Sequence, residues 1–163
     1  MPAMYRIGTQ KTAAICLRGH VITTDIDRLA KVPKFCTQCG AEVVTTCQIE
    51  SCQEPLPGEL YGHSTLVPDP WRKPLFCGGC GTAHDWLLLG QQQFSEFVDA
   101  TDAPEEEKRA VKDALPEIAR DEPSLGALNR VKRFVERFLT DPSSRAILVN
   151  VMSDAAKKWI LGG

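Results

Sequence analysis

All seven cysteines fall between positions 16 and 80, and the second half of the chain has none. That segregation constrains the fold more than any other feature. An odd number of thiols fits disulfide pairing badly. The first fifteen residues are too polar for a secretory leader, so the chain is expected in a reducing cytoplasm where disulfides do not persist. A metal-held module, by contrast, gathers its thiolates into one segment, and here they come in pairs. In chain order the pairs are C-L-R-G-H (Cys16, His20), C-T-Q-C-G (Cys36, Cys39), C-Q-I-E-S-C (Cys47, Cys52) and C-G-G-C-G (Cys77, Cys80).

Pairing at this spacing is what chelation requires. Two thiolates on one tight turn both reach an ion at about 2.3 Å, and the N–H groups of the turn are free to bond the sulfurs. A glycine after the second cysteine accepts the positive φ that closes such a turn. Gly40 and Gly81 occupy that place. Eight donors in four pairs make two tetrahedral Zn²⁺ sites. Joining neighbours gives Cys16, His20, Cys36, Cys39 and Cys47, Cys52, Cys77, Cys80, enclosing loops of 15 and 24 residues. The alternative is interleaved, first pair with third and second with fourth. Sequential ribbons close the shorter loops and are favoured for that reason. The two C-x-x-C-G units carry the strongest signal, and the wider Cys47–Cys52 gap a weaker one. His20 rests on completing the first site. His63, in a Pro-rich loop, and His84, behind a cysteine turn, read as exposed or supporting residues. A site closed by four protein ligands has no position for substrate, so both ions are expected to be structural.

Past Gly90 the composition changes. Before it, short alternating stretches at 12–17, 21–24 and 41–46 read as strands between turns. After it, helical spacing dominates. Asp102, Pro104 and Glu105 to Glu107 open a helix over 104–114, which Pro116 ends or kinks. Leu125, Leu128, Val131, Phe134, Val135, Phe138 and Leu139 mark a second over 123–139. Ile147, Leu148, Val151, Met152, Ala155, Trp159 and Ile160 mark a third over 142–161, and 86–100 reads as a fourth. The expected fold is α+β: a tandem zinc ribbon of short β-hairpins over 1–90, then a helical hairpin or small bundle over 91–163.

Charge narrows the function classes. Residues 1–90 hold 8 Lys/Arg against 8 Asp/Glu, and residues 91–163 hold 11 against 13. Neither half has the basic excess of a typical nucleic-acid binder, and thiolate-rich zinc sites add negative charge. Arg18, Arg72, Lys73 and the Arg130, Arg133, Arg137 stripe beside Lys132 are the residues a nucleic-acid reading would use. The stripe reads better as the solvated face of an amphipathic helix. No run approaches the roughly 20 apolar residues of a membrane span. No G-x-S-x-G, P-loop, dinucleotide fingerprint or H-E-x-x-H occurs. Cys77 and Cys80 lack the βαβ surroundings of a redox dithiol.

The order I-C-L-R-G-H-V-I-T (15–23), K-F-C-T-Q-C-G-A (34–41), P-L-P-G (55–58) and F-C-G-G-C-G (76–81) with Trp86 just after has a counterpart. So do A-L-P-E-I-A-R-D-E-P (114–123) and A-A-K-K-W-I-L-G (155–162). Together they resemble the bacterial family known as domain of unknown function 2321, small zinc-ribbon proteins. The chain departs from that pattern at its third pair, C-x4-C where the family tends to C-x-x-C. The resemblance implies fold and metal and brings no activity. The function expected is a non-enzymatic adaptor whose C-terminal helices meet a protein partner or a second copy. Nucleic-acid binding is the alternative. A zinc enzyme with His20 or His84 leaving an open metal position is a weaker one.

Overall fold

A computed structural model describes residues 9–61, 71–140 and 142–162. The chain divides into two compact units, Met1–Trp86 and Leu87–Gly163, a division that falls four residues before Gly90 and inside a helix.

The first unit is built of short antiparallel strands: β1 (Thr9–Thr12), β2 (Ala14–Cys16), β3 (Val21–Thr23), β4 (Val43–Val44) and β5 (Pro57–Tyr61). β2 is central in a three-stranded sheet of order β3-β2-β4, with Ile15 opposite Val44 and Cys16 opposite Val43. The alternating stretches over 12–17, 21–24 and 41–46 thus contain β2, β3 and β4, trimmed where the chain enters the cysteine turns. The β1–β5 pair is a strand pairing absent from the alternating stretches read in the sequence. Pro57 is the first residue of its strand and lies opposite Thr12, a position where its missing N–H costs the ladder little. Gly58 is equally necessary. A Cβ there would fall onto the Thr24 carbonyl oxygen and lie 2.9 Å from that of Lys11. Ala13, Ile15, Leu56 and Trp86 form the buried core, with Val44, Trp71 and Leu75 packed against it. The two indoles are anchored by their N–H groups, Trp86 to the Pro74 carbonyl at 2.8 Å and Trp71 to that of Pro57 at 2.9 Å. A core this small leaves much of the unit's stability to be supplied otherwise.

The helical region comprises α1 (Asp85–Ala100), α2 (Glu105–Ile118), α3 (Leu125–Phe138), α4 (Pro142–Val149) and α5 (Asp154–Leu161). α2 continues to Ile118 through Pro116, so that proline does not end it. Burial of Ala114, Leu115 and Ile118 holds the last turn in place. The expected single helix over 142–161 is two. Asn150 and Val151 N–H groups bond three residues back, and the Ser153 hydroxyl accepts the Ala156 N–H to start α5 afresh, the usual work of a serine N-cap. The Ser153 N–H in turn donates to the Ile118 carbonyl at the end of α2. Phe94, Val111, Phe134, Leu148, Val151 and Met152 are among the side chains fully buried in this unit. Phe94 and Phe134 meet edge to face at 6.4 Å. Gly90 packs within this unit: a Cβ there would lie 2.5 Å from Val151 Cγ1. No helix among the described residues is long and apolar enough to cross a membrane.

Candidate metal centres

Four turns carry the predicted ligands, and three of them share one construction. In the C-T-Q-C-G turn, Cys36 N–H donates to the Ala41 carbonyl and Gly40 N–H to that of Cys36, each at 2.8 Å. In C-G-G-C-G, Cys77 N–H reaches the Thr82 carbonyl and Gly81 N–H that of Cys77, each at 2.9 Å. Gly40 and Gly81 have φ of 71° and 72°, the conformation the sequence assigned to them. The wider C-Q-I-E-S-C turn ends the same way. Cys47 N–H donates to the Glu54 carbonyl, and the residue after the second cysteine, Gln53, takes φ of 48°. Two extra residues are therefore absorbed between the cysteines, where Cys52 and Gln53 N–H groups both return to the Ile49 carbonyl. Single bridges flank all three turns: Phe35 with Glu42, Thr46 with Pro55, Phe76 with Ala83.

The Cys16–His20 turn is tighter. Cys16 N–H donates to the His20 carbonyl and Gly19 N–H to that of Cys16 at 2.7 Å. Gly19 has φ of 87°, and a Cβ on it would strike Lys73 Nζ and Trp86 Cβ. Lys73 Nζ also donates to the Gly19 carbonyl at 3.0 Å. Glycine is required here twice over, for conformation and for space. Pairing of β2 with β3 closes this turn, and pairing of β2 with β4 brings the Cys36–Cys39 turn beside it.

The eight residues assemble into two groups, Cys16, His20, Cys36, Cys39 and Cys47, Cys52, Cys77, Cys80, with the donor atoms of each within 4.8 Å of one another. The pairing is sequential, and the interleaved alternative is not adopted. None of the seven cysteines is in a disulfide. Whether the donor sets suit a metal ion can be tested on their edges. An ion holding sulfur at about 2.3 Å and imidazole nitrogen at about 2.05 Å in a tetrahedron sets S···S edges near 3.8 Å and S···N edges near 3.6 Å. The S···S separations are 3.7 Å for Cys16–Cys39, Cys47–Cys80 and Cys52–Cys77. His20 Nδ1 stands 3.5, 3.3 and 3.7 Å from the sulfurs of Cys16, Cys39 and Cys36. The donors fit a tetrahedral ion, and it is the Nδ1 nitrogen that His20 presents.

Electrostatics point the same way. Thr82, through its hydroxyl and its backbone N–H, pulls the Cys80 thiol down to about 6. Cys47 receives the Ile49 N–H, which favours the thiolate, yet burial and the crowding thiols of Cys77 and Cys80 push it up to about 12. Burial also pushes Cys36 up, but the N–H groups of Gln38 and Cys39 outweigh it and hold that thiol below its ordinary value. Four sulfurs this close cannot all be anionic without a cation among them. Backbone donors are aimed at the sulfurs as well: His20 N–H lies 3.3 Å from Cys16 Sγ and Gly79 N–H 3.4 Å from Cys77 Sγ.

The other sequence candidates separate. His84 is not exposed: it is 3% accessible, stacks on Trp86 at 4.4 Å, and belongs to neither donor group. His63 lies outside the described residues. Arg18 and Arg72 are exposed, while Lys73 is half-buried against the first turn. On α3, Arg130, Arg133 and Arg137 line a groove of about 340 Å³ together with Glu107 and Glu136. Arg137 is forked onto Glu107 at 2.9 and 3.1 Å, so the stripe is partly neutralised. Sequence reasoning missed the supports rather than the donors. Thr82, Gln53 and Lys73 act through the folded chain, and only the position of Gln53 after a second cysteine could have signalled its part.

No curated protein and no solved structure gives a match to this chain. A family model does, over residues 9–160, and its span includes both donor groups and all five helices up to the last turn of α5. The chain therefore belongs to the family described as uncharacterized proteins conserved in bacteria, DUF2321.

Proposed function

We propose that the two donor groups hold structural Zn²⁺ and that the protein is a non-enzymatic adaptor working through contacts of its helical region. The observation that carries the metal reading is closure. Each group supplies four donors at tetrahedral edge lengths, and thiolate with imidazole is a donor set that suits zinc. Four protein ligands leave no position at which the ion would act on a substrate. When bound, zinc supplies folding free energy to a unit whose own apolar core is small. The adaptor reading is supported by large apolar side chains left in solvent on the helices. Leu125 is 64% exposed at the start of α3, and Trp159 and Leu161 are 45% and 39% exposed on α5. The near balance of charge and the Arg137–Glu107 pair weigh against nucleic acid as the partner.

Metal analysis of the purified protein tests the first part. Two zinc ions per chain are expected, and His20→Ala is expected to lower the count to one while leaving the all-cysteine group loaded. A metal-free wild-type protein that keeps its fold would end the proposal. For the second part, the partner or self-association captured by the wild-type protein should be lost in a Trp159→Ala, Leu161→Ala double variant that still binds two zinc ions. Binding to DNA or RNA that strengthens at low salt would instead favour the nucleic-acid reading.

A further inference from the structure

The two donor groups differ in a way that bears on their chemistry. The first keeps Cys16 fully buried at the end of β2, tied to strands on both sides. Its turn is pinned by Lys73 and by the Trp86 side chain against Gly19. It contains a histidine, so it has only three sulfurs. The second is all sulfur, with Cys80 exposed and Cys52 half-buried. Its last turn is C-G-G-C-G, open at Gly78 and Gly81, as the first group's turn is at Gly40, with Gly79 packed against Cys52 Sγ and Glu54. Two adjacent glycines give that turn a backbone freedom that the Thr37–Gln38 turn of the first group does not have. The second group's sulfurs meet across the two turns, Cys47 with Cys80 and Cys52 with Cys77 at 3.7 Å, as Cys16 and Cys39 do in the first group, but here all four are paired in this way.

We propose that the Cys47, Cys52, Cys77, Cys80 group is an oxidation site at which peroxide converts the metal-binding thiolates into two cross-turn disulfides, Cys47–Cys80 and Cys52–Cys77, while the first group keeps its metal. This inference rests on both groups holding zinc. The exposed Cys80 sulfur attacks a peroxide oxygen, the O–O bond breaks, and Cys80 becomes a sulfenic acid with loss of water. Cys47 then attacks that sulfur and expels its hydroxyl as a second water. Each disulfide thus takes two electrons from two thiolates, consumes one hydrogen peroxide and two protons from solvent, and yields two water molecules. Closing each bond brings the sulfurs from 3.7 Å to about 2.05 Å. With all four sulfurs engaged the Zn²⁺ leaves. Reactivity of this kind follows access to the sulfur, and no sulfur of the first group is as exposed as Cys80: Cys16 and Cys36 are buried and Cys39 half-buried.

The test is hydrogen peroxide added to the zinc-loaded full-length protein beside a colorimetric zinc chelator, with thiols mapped by alkylation and peptide mass spectrometry. Zinc counted before any peroxide is added reads the metal proposal on its own. The expected course is release of one zinc at least about tenfold faster than the other. Peptides joining Cys47 to Cys80 and Cys52 to Cys77 should appear as it leaves, and thiol reductant with added zinc should reverse the change. Release of both ions together, earlier loss from Cys16, Cys36 and Cys39, or disulfides within a turn (Cys47–Cys52, Cys77–Cys80) would each overturn it.

Discussion

The closing residue of a cysteine turn illustrates how much one backbone angle decides. Gly40 and Gly81 take φ near 70° without strain, whereas Gln53 takes φ of 48° with a side chain attached. The left-handed region costs a residue with a Cβ about 1 kcal/mol or more. Gly81→Ala is therefore expected to lower the stability of the zinc-loaded protein by about 1 kcal/mol. Gln53→Gly is expected to raise it by about 0.5 kcal/mol, since greater freedom of the unfolded chain offsets part of the relief. Opposite shifts in denaturant midpoint at unchanged zinc content would check both. His84 sets a second residue-scale expectation. Burial holds its imidazole below the ordinary value of 6.5, against a smaller opposing pull from Asp85, and its Nε2 has no partner. Between that ordinary value and the lower folded one, the unfolded chain takes up a proton that the folded chain refuses. Stability therefore falls on acidification through this window and rises with pH. His84→Phe keeps a ring on Trp86 and removes the proton. Its stability should fall less than that of the wild type between about pH 7 and about pH 5.5 in parallel denaturation series at fixed zinc.

Among the elements, β5 is the least expected and among the most constrained. It runs so close to its neighbours that Gly58 has the Thr24 and Lys11 carbonyls where a Cβ would go. Backbone atoms on two sides cannot retreat as a side chain could. Gly58→Ala is expected to cost about 3 kcal/mol, read as a lowered midpoint, with zinc binding retained at low temperature. The same close packing explains why helical periodicity misplaced two ends. Pro116 stays inside α2 because the buried Leu115 and Ile118 hold its last turn. The stripe over 142–161 continues across two helices because Val151 and Met152 remain buried in the break. Apolar spacing records most of the side chains that face inward, Leu125 and Trp159 being stripe members left exposed, and it is blind to a turn that keeps the rest buried.

For the whole molecule, the two units draw on different sources of stability. Leu87–Gly163 has an apolar core of its own, including Phe94, Phe134, Leu148 and Met152, while Met1–Trp86 gathers a few apolar residues and two donor groups. Chelation with excess EDTA should unfold the first and spare the second. The helical far-UV signal should persist while amide protection disappears over 9–86 and remains over 87–162. Loss of protection along the whole chain would mean that the helices need the metal unit to fold.

Much of this was legible in the chain itself. The eight donor residues, their division into four turns, the glycines that close two of them and the α+β order of the halves all follow from local spacing. Chelating turns and helical stripes are short-range devices, and their chemistry is written within a few residues. Tertiary structure alone decided the rest. It placed β5 against β1 across 48 positions of sequence between Gln10 and Gly58, buried His84 on Trp86, and, through the pairing of β2 with β4, realised the sequential grouping that loop length only favoured. Those outcomes depend on which distant backbones meet, and no residue pattern near any one of them encodes its partner.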